Sequence, residues 1–151
     1  MATRHFHQAR PGRYGGAMNH PSPATGFSPV TLGAIAAAAL AGGTGVGLGA
    51  YAAHGAPAEL AKGLALASIY ALLHGLALIA AALVHDRAAG SLTGRWLLRA
   101  SMAAFALGMA LFCGGIVFAT GTAPVGGSLL MAGWLALALG AGALLFTAGK
   151  P

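Results

Sequence analysis

The sequence predicts an all-α membrane protein: an antiparallel four-helix bundle of membrane-spanning helices behind a disordered basic N-terminal tail. Three observations predict it. Of 151 residues, 58% are hydrophobic and only 7% are charged, whereas a soluble domain carries about a quarter charged residues. Four uncharged runs, residues 30–53, 64–84, 102–119 and 127–146, would be roughly 36, 32, 27 and 30 Å long as helices, close to the roughly 30 Å of a bilayer core. The breaks between them are short, so successive spans run antiparallel. Residues 1–29 are then the tail and residues 30–151 the transmembrane domain.

The tail carries Arg4, Arg10 and Arg13, three histidines and no acid. It is not read as a signal peptide, because the run behind it exceeds the roughly 7–15 residues of a signal core. His5 and His7 are two ligands at most and make no closed metal site.

The first span holds alternating glycines, Gly43, Gly45, Gly47 and Gly49. Within lipid, small residues four apart let another backbone come close. The pairs Gly43/Gly47 and Gly45/Gly49 therefore predict a helix packed by two or three neighbours, the centre of the bundle. On the third span Ala104 and Gly108, and on the fourth Ala136 with Gly140 and Ala138 with Gly142, mark further contact faces. Apolar residues surround every span, so periodicity does not separate a lipid face from a core face.

Eight Lys and Arg stand against Glu59 and Asp86. They fall in the breaks between spans, as topology signals do, and nucleic acid is not an expected partner. The tail, the break between spans two and three (Arg87, Arg95, Arg99) and Lys150 carry seven of the eight, and Lys62 is the eighth. That bias predicts cytoplasmic termini and a cytoplasmic middle loop, with Trp96 in the interfacial aromatic belt. The lone Cys113 excludes an internal disulfide and reads as a small packing residue.

Depth along each span places His54 at the outer mouth of helix one with Tyr51 a turn beneath. Tyr70 lies roughly 9 Å and His74 roughly 15 Å in from the outer end of helix two. Thr44 matches the depth of His74, while Cys113 and Trp134 lie on the same outer side. Polar and aromatic groups are thus expected in the outer half, over an inner half of Ala, Leu and Gly. An ionisable residue at midplane is by default a functional-site hypothesis. His74 has two readings: a neutral ring satisfied by Thr44 or a backbone carbonyl and gluing helices together, or a functional group beside Tyr70.

Ligand depths that differ by roughly 15 Å argue against a haem between His54 and His74. With only Glu59 and Asp86 as acids, at opposite ends of a span, no carboxylate pair or Ser-His-Asp set assembles. Ser68 and Ser101 read as small residues that suit a helix. Gly43 to Gly49 lacks the Lys-Ser/Thr of a phosphate loop. No catalytic, cofactor or metal site is expected.

Four motifs carry a resemblance: Leu48-Gly-Ala-Tyr51-Ala-Ala-His54, Tyr70-Ala-Leu-Leu-His74-Gly-Leu-Ala-Leu78, Leu111-Phe-Cys-Gly114, and Pro124-Val-Gly-Gly127 followed by Gly133-Trp134. In this order and spacing the chain resembles the transmembrane protein 256 family, also known as domain of unknown function 423, over residues 30–146. Ala52 replaces the family's glycine, Ala71 its glutamine, and Val117 a common tyrosine. The resemblance implies a four-helix fold in a bacterial plasma membrane or mitochondrial inner membrane, and no activity. Together these readings lead to a non-enzymatic accessory or assembly component, with lipid and either a membrane-protein partner or a second copy as neighbours. The alternative is a small-solute or proton-linked carrier with an outward-facing pocket lined by Tyr51, His54, Tyr70, His74 and Trp134.

Overall fold

The computed structural model describes residues 26–88 and 90–148. The predicted disordered tail and Lys150 lie outside the described residues. Four helices follow in order: α1 (Pro29–His54), α2 (Ala58–Arg87), α3 (Leu92–Val117) and α4 (Ala123–Ala148). All four are long and apolar enough to cross a membrane.

The helix ends lie further out than the uncharged runs. The second helix begins at Ala58 rather than residue 64, and the third at Leu92 rather than residue 102. Charge marks where lipid ends, not where hydrogen bonding ends. Backbone groups go on pairing past that point, so Lys62, Arg87, Arg95 and Arg99 all lie on helical turns. Local capping sets the limits: the Ser28 hydroxyl accepts from Thr31 N–H at 3.3 Å ahead of Pro29, and the Ser91 hydroxyl accepts from Gly94 N–H at 3.1 Å. Glu59 lies in the first turn of α2 and Arg87 in its last, each complementing the helix dipole. Ala119 and Gly121, with φ of 52° and 72°, turn the chain between α3 and α4.

Two hairpins, α1/α2 and α3/α4, are each zipped along a seam of small residues seven apart. In the first, Thr31 meets Ala82, Gly75 lies against the Ala38 carbonyl, and Gly45 lies against the Ser68 carbonyl. In the second, Gly94 lies against the Gly140 carbonyl, Ser101 bonds the Gly133 carbonyl, and Gly108 lies against the Gly126 carbonyl. A seven-residue repeat keeps one narrow stripe facing an antiparallel partner over several turns. Small side chains on that stripe bring the backbones close, which is how helices gain packing energy when lipid competes for apolar contact.

Each hairpin also spends a serine hydroxyl on the opposite backbone. Ser68 Oγ donates to the Gly45 carbonyl at 2.7 Å, and Ser101 Oγ donates to the Gly133 carbonyl at 2.9 Å. These serines are interhelical donors rather than mere small residues.

The hairpins join through α2 and α3, where Leu78, Ala81, Met102, Phe105 and Met109 form the core and Cys113 Sγ donates to the Ala67 carbonyl at 3.3 Å. Among the described residues α1 and α4 do not touch. The order across the molecule is therefore α1, α2, α3, α4. Helix one is a flank and not the centre, and α2 is the most enclosed helix. Gly45 and Gly49 face α2, whereas a methyl group on Gly43 or Gly47 would meet open space. Alternating glycines occupy opposite sides of a helix, so one neighbour can contact only one of the two pairs.

Candidate functional site

His74 lies near the middle of α2 and is 5% exposed. Its Nδ1 lies 2.9 Å from the Tyr70 carbonyl oxygen one turn earlier. A carbonyl only accepts, so Nδ1 carries the proton. The bond stays inside α2, and the histidine ties helices together through its ring instead. That ring lies 5.3 Å from Tyr70, 5.9 Å from Phe105 and 6.2 Å from Trp134, centroid to centroid.

Two further contacts extend the cluster. Tyr70 stacks on Phe112 at 4.3 Å, and Phe105 meets Trp134 edge-on at 5.3 Å. Such geometries bring roughly 0.5–1.5 kcal/mol per pair beyond area burial. Phe105 is fully buried, and Gly133 on α4 leaves the space its ring occupies. The result is an aromatic block shared by α2, α3 and α4.

Of the predicted polar site, Tyr70, His74 and Trp134 come together. Thr44 does not join them: it is exposed and lines a separate apolar hollow between α1 and α3. Tyr51, 51% exposed, and His54 lie at the far end of α1, where the Tyr51 ring packs on Gly55. Matching depth was not enough, because Thr44 points along a different side of α1 from the Gly45 seam. Phe105 and Phe112, which fill the interior beside His74, carried no sequence signal distinct from any other apolar residue in a span.

A second polar cluster sits at the opposite end of α2, where the inner half had been expected to be plain. Asp86 accepts from the Ser28 hydroxyl at 2.7 Å and from Ser28 N–H at 3.2 Å. Thr31 Oγ1 donates to the Ala82 carbonyl at 3.3 Å. Arg99 Nε donates to His85 Nε2 at 3.1 Å, which leaves the proton on His85 Nδ1. That buried atom has no hydrogen-bond partner among the described residues, Asp86 Oδ1 lying 3.8 Å away. The Arg99 guanidinium also covers Trp96 at 5.4 Å. The signal in the sequence was the Ser28-Pro29 cap pair and the His85-Asp86 step at the end of an apolar run.

Among the described residues no group of three His, Cys, Asp or Glu side chains converges as a metal site would require. Four apolar helices, with hydroxyls turned inward to backbone carbonyls and large aliphatic side chains such as Leu40, Leu139 and Leu145 turned outward, define a multi-pass membrane protein. The family described as protein of unknown function (DUF423) matches residues 48–127, just over half of the 151, and the chain belongs to that family. The match takes in the end of α1, all of α2 and α3, and the first turn of α4. No curated protein and no solved structure shows significant similarity to the chain.

Proposed function

We propose that the chain is a non-enzymatic accessory or assembly component, seated in a bacterial plasma membrane with both termini cytoplasmic and working through contact with another membrane protein. A mitochondrial inner membrane is the alternative location. One observation carries this reading: the helices form an open row in which α1 and α4 do not touch. Among the described residues each flanking helix packs on one side, and α1 keeps Gly43 and Gly47 on the side away from α2. Small residues on an uncovered helix face suit close approach by another helix.

The carrier reading fits less well. Its polar residues would have to line a pocket, but Tyr70 and His74 are packed against Phe105, Phe112 and Trp134, and the apolar hollow between α1 and α3 is lined by Thr44 and not by them. Purification of the full chain in mild detergent separates the two. A second membrane protein at fixed stoichiometry, lost in Gly43→Leu/Gly47→Leu, is the expected result. A chain that purifies alone and supports solute or proton flux in liposomes would overturn the accessory reading.

A further inference from the structure

Three hollows follow one another along the side of the molecule between α1 and α3. At the charged end a cleft of about 720 Å³ is walled by Phe27 and Ser28 before and at the α1 cap, His85 to Arg87 closing α2, and Arg95 and Arg99 on α3. Val30 and Arg99 also line the next hollow, about 310 Å³ and almost wholly apolar. Ala37 and Ala106 border both that hollow and a third, about 330 Å³, which reaches Leu48 on α1 and Phe118 on α3. From Val30 to Leu48 the track is about 27 Å long, nearly the thickness of a hydrocarbon core.

The charges at its head do not cancel. Asp86 is engaged by both donors of Ser28. Arg99 spends one nitrogen on a neutral histidine, and Arg87 and Arg95 have no hydrogen-bond or ion-pair partner among the described residues. Three cations thus face one occupied carboxylate, and His85, whose buried Nδ1–H has no partner among the described residues, lines the same cleft. The N-terminal tail is a poor occupant, because it carries Arg4, Arg10 and Arg13 and no acid. Guanidinium groups favour phosphate oxygens, and those at a membrane surface attract anionic headgroups.

We propose that this track binds an anionic lipid, with its phosphate among Arg87, Arg95 and Arg99 and a hydrocarbon chain in the α1/α3 groove. A basic head joined to an apolar channel matches both halves of one amphiphile. A free phosphate would use the head alone. The proposal is independent of whether the chain has a protein partner.

The test uses the full-length chain in neutral detergent, titrated with phosphatidylglycerol, phosphatidylcholine or inorganic phosphate and read by native mass spectrometry. Phosphatidylglycerol should bind at least about tenfold more tightly than phosphatidylcholine, and Arg87→Gln/Arg95→Gln should abolish the difference. Neither arginine is bonded among the described residues, so that variant should keep the wild-type helical spectrum. Ala37→Leu/Ala106→Leu, which fills the groove and leaves the arginines in place, should also weaken phosphatidylglycerol. As a check that needs no variant, phosphatidylglycerol with a photoreactive group on its chain should label α1 and α3 and spare α4. Equal binding of the two lipids, an arginine variant that keeps the preference, or labelling centred on α4 would overturn the proposal. Displacement of the lipid by inorganic phosphate at matching concentration would also overturn it, making the free anion the ligand.

Discussion

The Ser68 hydroxyl donates to the Gly45 carbonyl across the α1/α2 seam at 2.7 Å, at the point where Gly45 lets the two backbones meet. Glycine and serine act together there. A methyl group on Gly45 would come within 3.0 Å of the Ser68 carbonyl oxygen, and one on Gly49 within 2.8 Å of its hydroxyl.

Overpacking at that seam predicts that Gly45→Leu or Gly49→Leu costs about 1–3 kcal/mol. Gly47→Leu, on the open side, should stay within about 0.5 kcal/mol. Ser68→Ala should cost about 0.6 kcal/mol, the average measured for interhelical hydrogen bonds in membranes. Thermal unfolding in detergent measures all four. Equal effects at Gly45 and Gly47 would refute the assignment of faces.

The four spans were legible in the sequence because lipid leaves an uncharged stretch few options but a helix. The seams were only half legible. A search for small residues four apart finds Gly43/Gly47 and Gly45/Gly49 alike and cannot choose between opposite sides of one helix. A spacing of seven, as in Thr31, Ala38 and Gly45 or Gly126, Gly133 and Gly140, selects the side that faces the partner. The cluster around Ser28, His85 and Asp86 was hidden because Ser28 stands 57 and 58 positions from the other two, and all three look like loop residues until the helices are extended over them. The rings beside His74 were hidden for the opposite reason. Nothing marks Phe105 as interior and Phe146 as lipid-facing when both lie in uniformly apolar spans.

Phe105 is the buried centre of the aromatic block, so Phe105→Ala should destabilise by about 3–5 kcal/mol through the cavity it leaves. Leu139→Ala, at a lipid-facing position, should change little, because lipid tails replace the lost contacts. Denaturant or thermal titration in detergent distinguishes the two. A larger loss at Leu139 would mean that this face is covered by another protein or a second copy.

The seven-to-one distribution of Lys and Arg predicts that a reporter active only in the cytoplasm works when fused after residue 151 and is silent when inserted beside Lys62. The reverse pattern would invert the orientation, and with it the leaflet facing the cleft of Arg87, Arg95 and Arg99.

His74 decides whether the interior is structural or carries protons. Its Nδ1–H is satisfied inside α2 and its ring is clasped by Tyr70, Phe105 and Trp134. The most direct measurement is His74→Gln, assayed for detergent stability and for complementation of a strain lacking the gene. An amide keeps a polar side chain of similar reach but does not titrate near neutral pH. If the ring is a packing element of a non-enzymatic bundle, the variant loses about 0.5–1.5 kcal/mol for each ring contact given up and still complements fully. A variant that is as stable as wild type yet fails to complement would contradict the account and assign His74 to proton transfer.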